Sequence, residues 1–115
     1  MRDLDELKER VRAFCAERDW DRFHNPKNLA MALSVEASEL VELFQWLTEE
    51  QSAKLDEKQR GRVAEELADV LWFLVRISDR LGIDLLEAAN TKLAQNVKKY
   101  PADLVRGDPR KYTEY

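Results

Sequence analysis

One amphipathic helix with an acidic residue on its apolar stripe constrains this chain more than any other feature. Residues 33–46, LSVEASELVELFQW, have large apolar side chains at helical spacing, yet Glu36 stands where a Leu or Val would be expected. Glu39 follows three residues later, so both carboxylates can point at one place. Glu66 and Asp69 have the same spacing beside a second apolar stripe. The sequence therefore predicts two helices that each direct an acidic pair at the interior.

Length and composition favour one all-α domain over residues 1–115, with residues 101–115 as a C-terminal tail. A chain of 115 residues is large enough for one modest core, and its three glycines, three prolines and lack of β-type alternation predict helices. Cys15 has no second cysteine to pair with, so we expect a small buried thiol and a reducing cytoplasm.

The charge balance excludes two classes of partner. The formal net charge is −4, whereas a nucleic-acid backbone or an anionic membrane surface requires a basic face. No apolar run approaches the roughly 20 residues of a membrane span. The first ten residues are helix-like and acidic, unlike a signal peptide, and a cytoplasmic protein is expected.

Capping signals divide the chain into helices. We expect a first helix at 3–18, a second at 26–47 that begins at Asn25-Pro26, a short turn at 48–55, a third helix that starts on either side of Gly61 and ends at Gly82, and a fourth from Asp84 to before Pro101. The tail shows no periodicity, but because it contains Leu104, Val105, Tyr112 and Tyr115 we expect it to pack on a neighbour. The predicted inward faces of the first and third helices are Leu4, Leu7, Val11, Phe14 and Cys15, and Val63, Leu67, Val70, Leu74, Ile77 and Leu81.

Four carboxylates that converge from two antiparallel helices require compensation. Two like charges 4 Å apart repel by about 4 kcal/mol at an effective dielectric near 20. Protons, Lys or Arg partners, or a metal ion would each offset this repulsion. The ligands are hard oxygens and no His follows either Glu at i+3, so Mg²⁺ or Mn²⁺ is favoured over zinc or a di-iron centre. A carboxylate-held Mg²⁺ commonly completes its shell with water and substrate phosphates, which indicates phosphate-ester or phosphoanhydride chemistry.

Two other interpretations remain open at this point. Acidic pairs three residues apart are common on solvated helix faces, and Arg62, four residues before Glu66, is a candidate surface partner. The chain would alternatively be a non-catalytic helical oligomerisation module whose acidic pairs meet Lys or Arg across an interface.

The assembled motifs resemble a known family. EASE (Glu36 to Glu39) and EELAD (Glu65 to Asp69) resemble the ExxE…ExxD signature of the all-α MazG-type nucleoside triphosphate pyrophosphohydrolases. The segments ERDWDRFHNPKNLAMAL, ELFQW, KYP and RKYTEY are similar to the dCTP pyrophosphatase branch. This resemblance implies a four-helix core, assembly as a homodimer or a dimer of dimers (a homotetramer), and Mg²⁺-dependent cleavage of a nucleoside triphosphate to monophosphate and pyrophosphate, in the service of nucleotide-pool cleansing.

The resemblance also implies roles for individual residues. By position, Glu36, Glu39, Glu66 and Asp69 would be metal ligands, and Glu39, Glu66 and Lys92 would act in catalysis, with Glu39 as the choice for orienting the attacking water. Substrate-binding positions would be Trp20, Asp21, Arg22, Phe23, His24, Trp46, Phe73, Asn96 and Tyr100. Val11 replaces a base-contacting His of close animal relatives, and Phe73 lacks the hydroxyl of a Tyr. Since base discrimination relies on paired polar groups, dUTP or damaged nucleotides stay open as substrates beside dCTP.

Overall fold

The protein is built from helices that are joined by short turns. The computed structural model describes residues 1–110 and 112–114, and no strand occurs among them. The elements are α1 (Leu4–Glu17), a 3₁₀ turn (Asp21–Phe23), α2 (Pro26–Glu42), α3 (Glu49–Ala53), α4 (Glu57–Leu81), α5 (Leu85–Lys99), α6 (Ala102–Val105) and a second 3₁₀ turn (Tyr112–Glu114). The predicted all-α class is confirmed. No described helix is long and apolar enough to cross a membrane.

Side-chain caps fix where these helices begin. The side-chain Oδ1 of Asn25 accepts the backbone N–H of Asn28 at 2.9 Å, and Pro26 takes the first helical position. Thr48 and Asp56 each start a helix with a reciprocal capping box. The Asp56 cap settles the ambiguity around Gly61, which lies inside α4.

Helix α2 is shorter than predicted, because it ends at Glu42 rather than at residue 47. The N–H groups of Leu43 and Phe44 bond to carbonyls three residues back, at 3.2 and 2.9 Å, so the backbone tightens into a turn. The next helix is already capped at Thr48, which leaves only this short stretch in which the chain can change direction. The correction moves Trp46 from a helix into a turn.

The tail contains a short helix that the sequence pattern did not predict. The Pro101 carbonyl accepts the N–H groups of Leu104 and Val105 at 2.9 and 3.1 Å, which forms α6. The expectation that the tail packs on a neighbour stays a prediction. Of its four residues, Leu104 is exposed in the single chain. Tyr115 and the side chain of Tyr112 lie outside the described part of the chain.

The chain forms two compact units, Met1–Ile83 and Asp84–Tyr115, and the single domain expected from its length stays a prediction. Within the first unit, α1 and α2 pack against α4. His24, immediately before α2, contacts Arg76 and Arg80 near the end of α4, whereas Glu36 and Glu39 lie beside Glu66 in its first half. These contacts show that α2 and α4 are antiparallel.

The core of the first unit is small. Among the described residues, Val11, Cys15, Leu29 and Val75 are the fully buried apolar side chains, which confirms the buried thiol. The predicted inward stripe of α4 is partly wrong, because Leu67 and Leu81 are about half exposed at 52% and 51%. The contacts with α1 and α2 cover only part of the apolar face of α4.

Two glycines at opposite ends of α4 provide a matched test of its boundaries. A Cβ added at Gly61 meets no atom within 4 Å, while Gly82 ends the helix at φ +67°. Gly61→Ala should raise the free energy of unfolding by about 0.5–1 kcal/mol, because alanine restricts the unfolded chain and suits a helix interior. Gly82→Ala should lower it by about 1 kcal/mol, because a side chain disfavours positive φ. Urea denaturation measures the free energy of unfolding of both variants. If the two substitutions changed it in the same direction, these helix limits would be contradicted.

Candidate functional site

Three carboxylates meet where α2 packs against α4. Glu36 and Glu39 come from α2 and Glu66 from α4, and each offers a carboxylate oxygen within 4.8 Å of the others. All three side chains are half-buried. The i, i+3 spacing on α2 places its two acids on one side of the helix, and the antiparallel packing brings the third from α4.

Two oxygens of this cluster have no partner. Oε2 of Glu36 and Oε2 of Glu66 are inaccessible to solvent and accept no hydrogen bond from any described residue. Arg62, the candidate surface partner of Glu66, is exposed and takes part in no ion pair among the described residues. A buried acceptor without a donor costs on the order of 1–3 kcal/mol, and more when it is charged. The solvated-face interpretation therefore does not describe this cluster.

The proton affinity of the cluster reflects both burial and crowding. Burial raises the pKa of Glu36 to about 7, assisted by the adjacent carboxyl group of Glu39 and by the charge of Asp69. Burial also raises the pKa of Glu66, and the charge of Glu39 adds to that effect. The three groups therefore resist carrying full negative charge together, and they need protons or a cation.

Asp69 stands slightly apart from the other predicted ligands. It is exposed and is not a member of the group of three, although its charge contributes to the raised pKa values of both Glu36 and Glu66. It lies three residues after Glu66 on α4. The structure therefore brings together three of the four acids and leaves Asp69 at their edge.

The segment Trp20–His24 lies against the far end of α4. His24 and Asp21 both accept hydrogen bonds from the side chain of Arg76, and Arg80 donates to the backbone carbonyls of the same two residues. Arg22 and Phe23 are exposed instead. Asp21 and His24 thus anchor the segment, which leaves Arg22 and Phe23 accessible.

Aromatic rings connect this segment to the helices. Ring centres lie 5.5 Å apart for Phe14 and Trp20, 5.9 Å for His24 and Trp72, and 4.9 Å for Trp72 and Phe73, all in edge-on geometry. Phe73 is half-buried and follows Asp69 by one helical turn, so the rings extend towards the acidic cluster. Val11, where animal relatives were expected to have a base-contacting His, is 5% exposed and belongs to the core.

The remaining predicted positions differ in exposure. Trp46 is 86% exposed in the turn after α2, a large apolar area for a side chain that contacts nothing in a core. In the second unit, Lys92 is exposed on α5, while Asn96 and Tyr100 are half-buried at its C-terminal end. Their assignment to the phosphates stays a prediction.

Sequence reasoning missed Arg76, which is 1% exposed and is the largest fully buried side chain among the described residues. An apolar stripe through VLWFLVRISDRL does not include an arginine, so helical periodicity in apolar residues alone cannot predict that Arg76 is buried. A usable signal was present, because Asp69, Phe73, Arg76 and Arg80 follow the i, i+4, i+7, i+11 spacing of one helix face.

Known proteins with similar sequences agree with this arrangement. The family model described as MazG-like matches residues 31–114, a range that includes the whole acidic cluster. The chain is 44% identical over 113 residues to dCTP pyrophosphatase 1 of Homo sapiens and 42% identical to that of Mus musculus. Each match covers 96% of this chain but only 66% of the relative, so the chain spans just under two thirds of their length.

A solved structure resembles the fold. A pyrophosphatase from Archaeoglobus fulgidus superposes with a TM-score of 0.80 at 40% sequence identity, over 84% of this chain and 91% of that one. The sequence resemblance and the packing of α2 on α4 thus lead to the same conclusion: the chain belongs to the MazG-like family.

Proposed function

We propose that the protein is a Mg²⁺-dependent pyrophosphohydrolase that cleaves dCTP, or a modified dCTP, to the monophosphate and pyrophosphate, and so cleanses the nucleotide pool. The observation that carries this proposal is the meeting of Glu36, Glu39 and Glu66 with two buried, unpartnered oxygens. Relatives named dCTP pyrophosphatase 1 support the substrate, and the related archaeal structure is a pyrophosphatase. We expect the enzyme to act in the cytoplasm.

The donor set suits Mg²⁺, with Mn²⁺ as a substitute. Glu36, Glu39 and Glu66 offer only hard oxygen atoms, and the two orphaned Oε2 atoms need a proton or a cation, because no described side chain donates to them. Asp69, at the solvent edge, would complete the set. When bound, the ion would neutralise phosphate charge and favour attack at phosphorus.

The chain's own residues would supply positioning and proton transfer. Water attacks the α-phosphorus, the bond from the α-phosphorus to the α,β-bridging oxygen breaks, and pyrophosphate leaves. We assign Glu39 to orient this water and accept its proton, with Glu66 holding the arrangement from α4. Lys92 is assigned to offset negative charge on the departing pyrophosphate, with Asn96 and Tyr100 as further polar groups near the phosphates.

Base recognition is assigned to the aromatic segment Trp20–His24 together with Trp46 and Phe73. Exposed rings such as Trp20, Phe23 and Trp46 provide stacking faces for a base. Phe73 has no hydroxyl and Val11 is buried and apolar, so two polar contacts expected in the animal enzymes are missing here. This observation supports the second candidate, a related pyrophosphohydrolase that acts on dUTP or damaged nucleotides.

Assembly into a homodimer or homotetramer belongs to the same proposal. Met31 and Val35 on α2, and Leu67 and Leu71 on α4, form exposed i, i+4 apolar pairs, with exposures from 39% to 60%. Two such pairs, on two helices that pack together, favour an interaction site on this small unit. A second copy of the chain would cover it.

Sedimentation equilibrium tests the assembly directly. The protein should sediment as a dimer or tetramer of the 13.5 kDa chain at micromolar concentration. A stable monomer that hydrolyses triphosphates would contradict this part of the proposal.

Metal-free stability should depend on pH through Glu36. Its pKa is raised from 4.5 to about 7, so the folded chain binds a proton that the unfolded chain releases, and raising the pH from about 4.5 through about 7 favours unfolding. Added Mg²⁺ should then raise the melting temperature, most at pH 8. Glu36→Gln should raise the metal-free melting temperature at pH 8 and reduce the Mg²⁺ response.

The exposed neighbour Glu42, also on α2, provides the matched control, and Glu42→Gln should leave both responses unchanged. Differential scanning fluorimetry with and without Mg²⁺ and nucleotide measures these shifts. A wild-type melting temperature that is indifferent to Mg²⁺ with nucleotide would instead favour the salt-bridged, non-catalytic module.

Turnover should depend on Glu39 and Glu66 but not on the adjacent acid. Glu39→Gln and Glu66→Gln should each lower kcat by at least about 100-fold, the typical contribution of a positioned acid–base group. Glu65→Gln, an exposed neighbour on α4, should change kcat less than about twofold. Pyrophosphate release from dCTP, 5-methyl-dCTP, dUTP and dTTP measures activity and base preference together. Near-wild-type turnover in both variants with metal still bound would refute these roles.

A further inference from the structure

The guanidinium of the deeply buried Arg76 forms its described hydrogen bonds with the segment Trp20–His24. A buried guanidinium is tolerated only when its N–H groups are paired. Arg76 Nε–H donates to Nδ1 of His24 at 3.0 Å, and Nη2 donates to a carboxylate oxygen of Asp21. Arg80, one turn further along α4, donates to the backbone carbonyls of the same two residues at 3.2 and 3.4 Å.

The direction of one hydrogen bond determines where the His24 proton lies. A guanidinium has five N–H donors and no acceptor, so Nδ1 of His24 must accept. A neutral imidazole that accepts at Nδ1 carries its hydrogen on Nε2. In an imidazolium Nδ1 also carries a hydrogen, so two N–H donors would face each other across the 3.0 Å between Arg76 Nε and His24 Nδ1. Two donors form no hydrogen bond, so this geometry excludes the charged ring. No described residue bonds to Nε2, so its N–H is available to a ligand.

We propose that Arg76 is a positioning residue that holds His24 as the neutral Nε2–H tautomer, so that this N–H donates to an acceptor atom on the base of the nucleotide. The tautomer rests on the Arg76 contacts alone, and only the identity of the ligand rests on the proposed function. A single uncharged N–H donor matches a carbonyl oxygen or an unprotonated ring nitrogen of a base.

The surroundings of His24 favour the same state. The Trp20 and Trp72 ring centres lie 6.0 and 5.9 Å from the imidazole, at edge-on angles. Burial, followed by the positive charge of Arg76, lowers the pKa of His24 below 6.5, and Arg80 acts in the same direction. Asp21 opposes them, but its carboxylate is already bonded to Arg76. His24 therefore stays uncharged at neutral pH.

The chain contains a single histidine, so nitrogen NMR of the protein labelled with ¹⁵N-histidine reports on His24 alone. In the metal-free wild type at pH 7.5, Nδ1 should give a pyridine-type shift and Nε2 a pyrrole-type shift, with a titration midpoint below 6.5. A protonated Nδ1, or a midpoint at or above 6.5, would overturn the proposal without any variant.

Three substitutions separate the hydrogen bond from simple loop anchoring. Arg76→Met should mix the two tautomers and raise the titration midpoint, because Nδ1 loses its donor and the ring loses a nearby positive charge. Asp21→Asn should lower the midpoint and keep the Nε2–H signature, because the Arg76 contact to Nδ1 persists. Arg12→Met is the control: it breaks the ion pair between Arg12 of α1 and Asp79 of α4, and it should leave the tautomer and the titration midpoint of His24 unchanged. An unchanged tautomer in a folded Arg76→Met protein would overturn the role of Arg76.

Measurements with a bound nucleotide test the ligand of His24 separately from its tautomer. With Mg²⁺ and a non-hydrolysable dCTP analogue, the Nε2–H proton should shift and exchange more slowly, and Arg76→Met should lower kcat/KM by roughly 2- to 10-fold, the size of one neutral hydrogen bond. An analogue that binds without moving the Nε2–H signal would overturn the ligand assignment. A wild type that hydrolyses no triphosphate would refute the proposed function while leaving the tautomer result intact.

Discussion

Electrostatic repulsion between acids on two packed helices is the constraint on which the site depends. Glu36, Glu39 and Glu66 lie within 4.8 Å of one another at the α2–α4 contact, where burial already disfavours charge. A core designed only for stability would place apolar residues there, because uncompensated buried carboxylates oppose folding. Three acids at this contact form a preformed group of oxygen donors, which is why we propose a bound cation there.

The two ends of the α2–α4 pair have opposite electrostatic character. At one end, three acids meet without a described basic partner. At the other end, arginines and acids are already paired, through Arg76 with Asp21 and Arg12 with Asp79. Under the proposed function, the acidic end takes its positive charge from a bound metal ion, while the arginines at the other end hold an aromatic segment in place. The same helix, α4, thus supports both the acidic cluster and the segment assigned to the base.

The elements governed by local chemistry could be predicted from the sequence. Asn25, Thr48, Asp56 and Asp84 cap helices as their side chains predict, and Gly82 ends α4 at positive φ. The convergence of Glu36, Glu39 and Glu66 was also predictable, because i, i+3 spacing on two neighbouring helices leaves few other arrangements. The last turns of α2 were not, because aromatic and apolar residues continue the helical pattern past Glu42 while the backbone turns. Other contacts between distant parts of the chain could not be predicted. Arg76 can be buried because His24 and Asp21 accept its hydrogen bonds, and neither contact follows from local sequence. Sequence spacing also does not show that Asp69 lies outside the group of three acids.

A crystal structure of the protein grown with Mn²⁺ and a non-hydrolysable nucleotide, with anomalous scattering used to locate the metal, would decide whether the acidic cluster holds a cation. We expect an anomalous peak between α2 and α4, with carboxylate oxygens of Glu36, Glu39 and Glu66 as its ligands. Side chains that point into solvent, with no metal peak between the two helices, would contradict it.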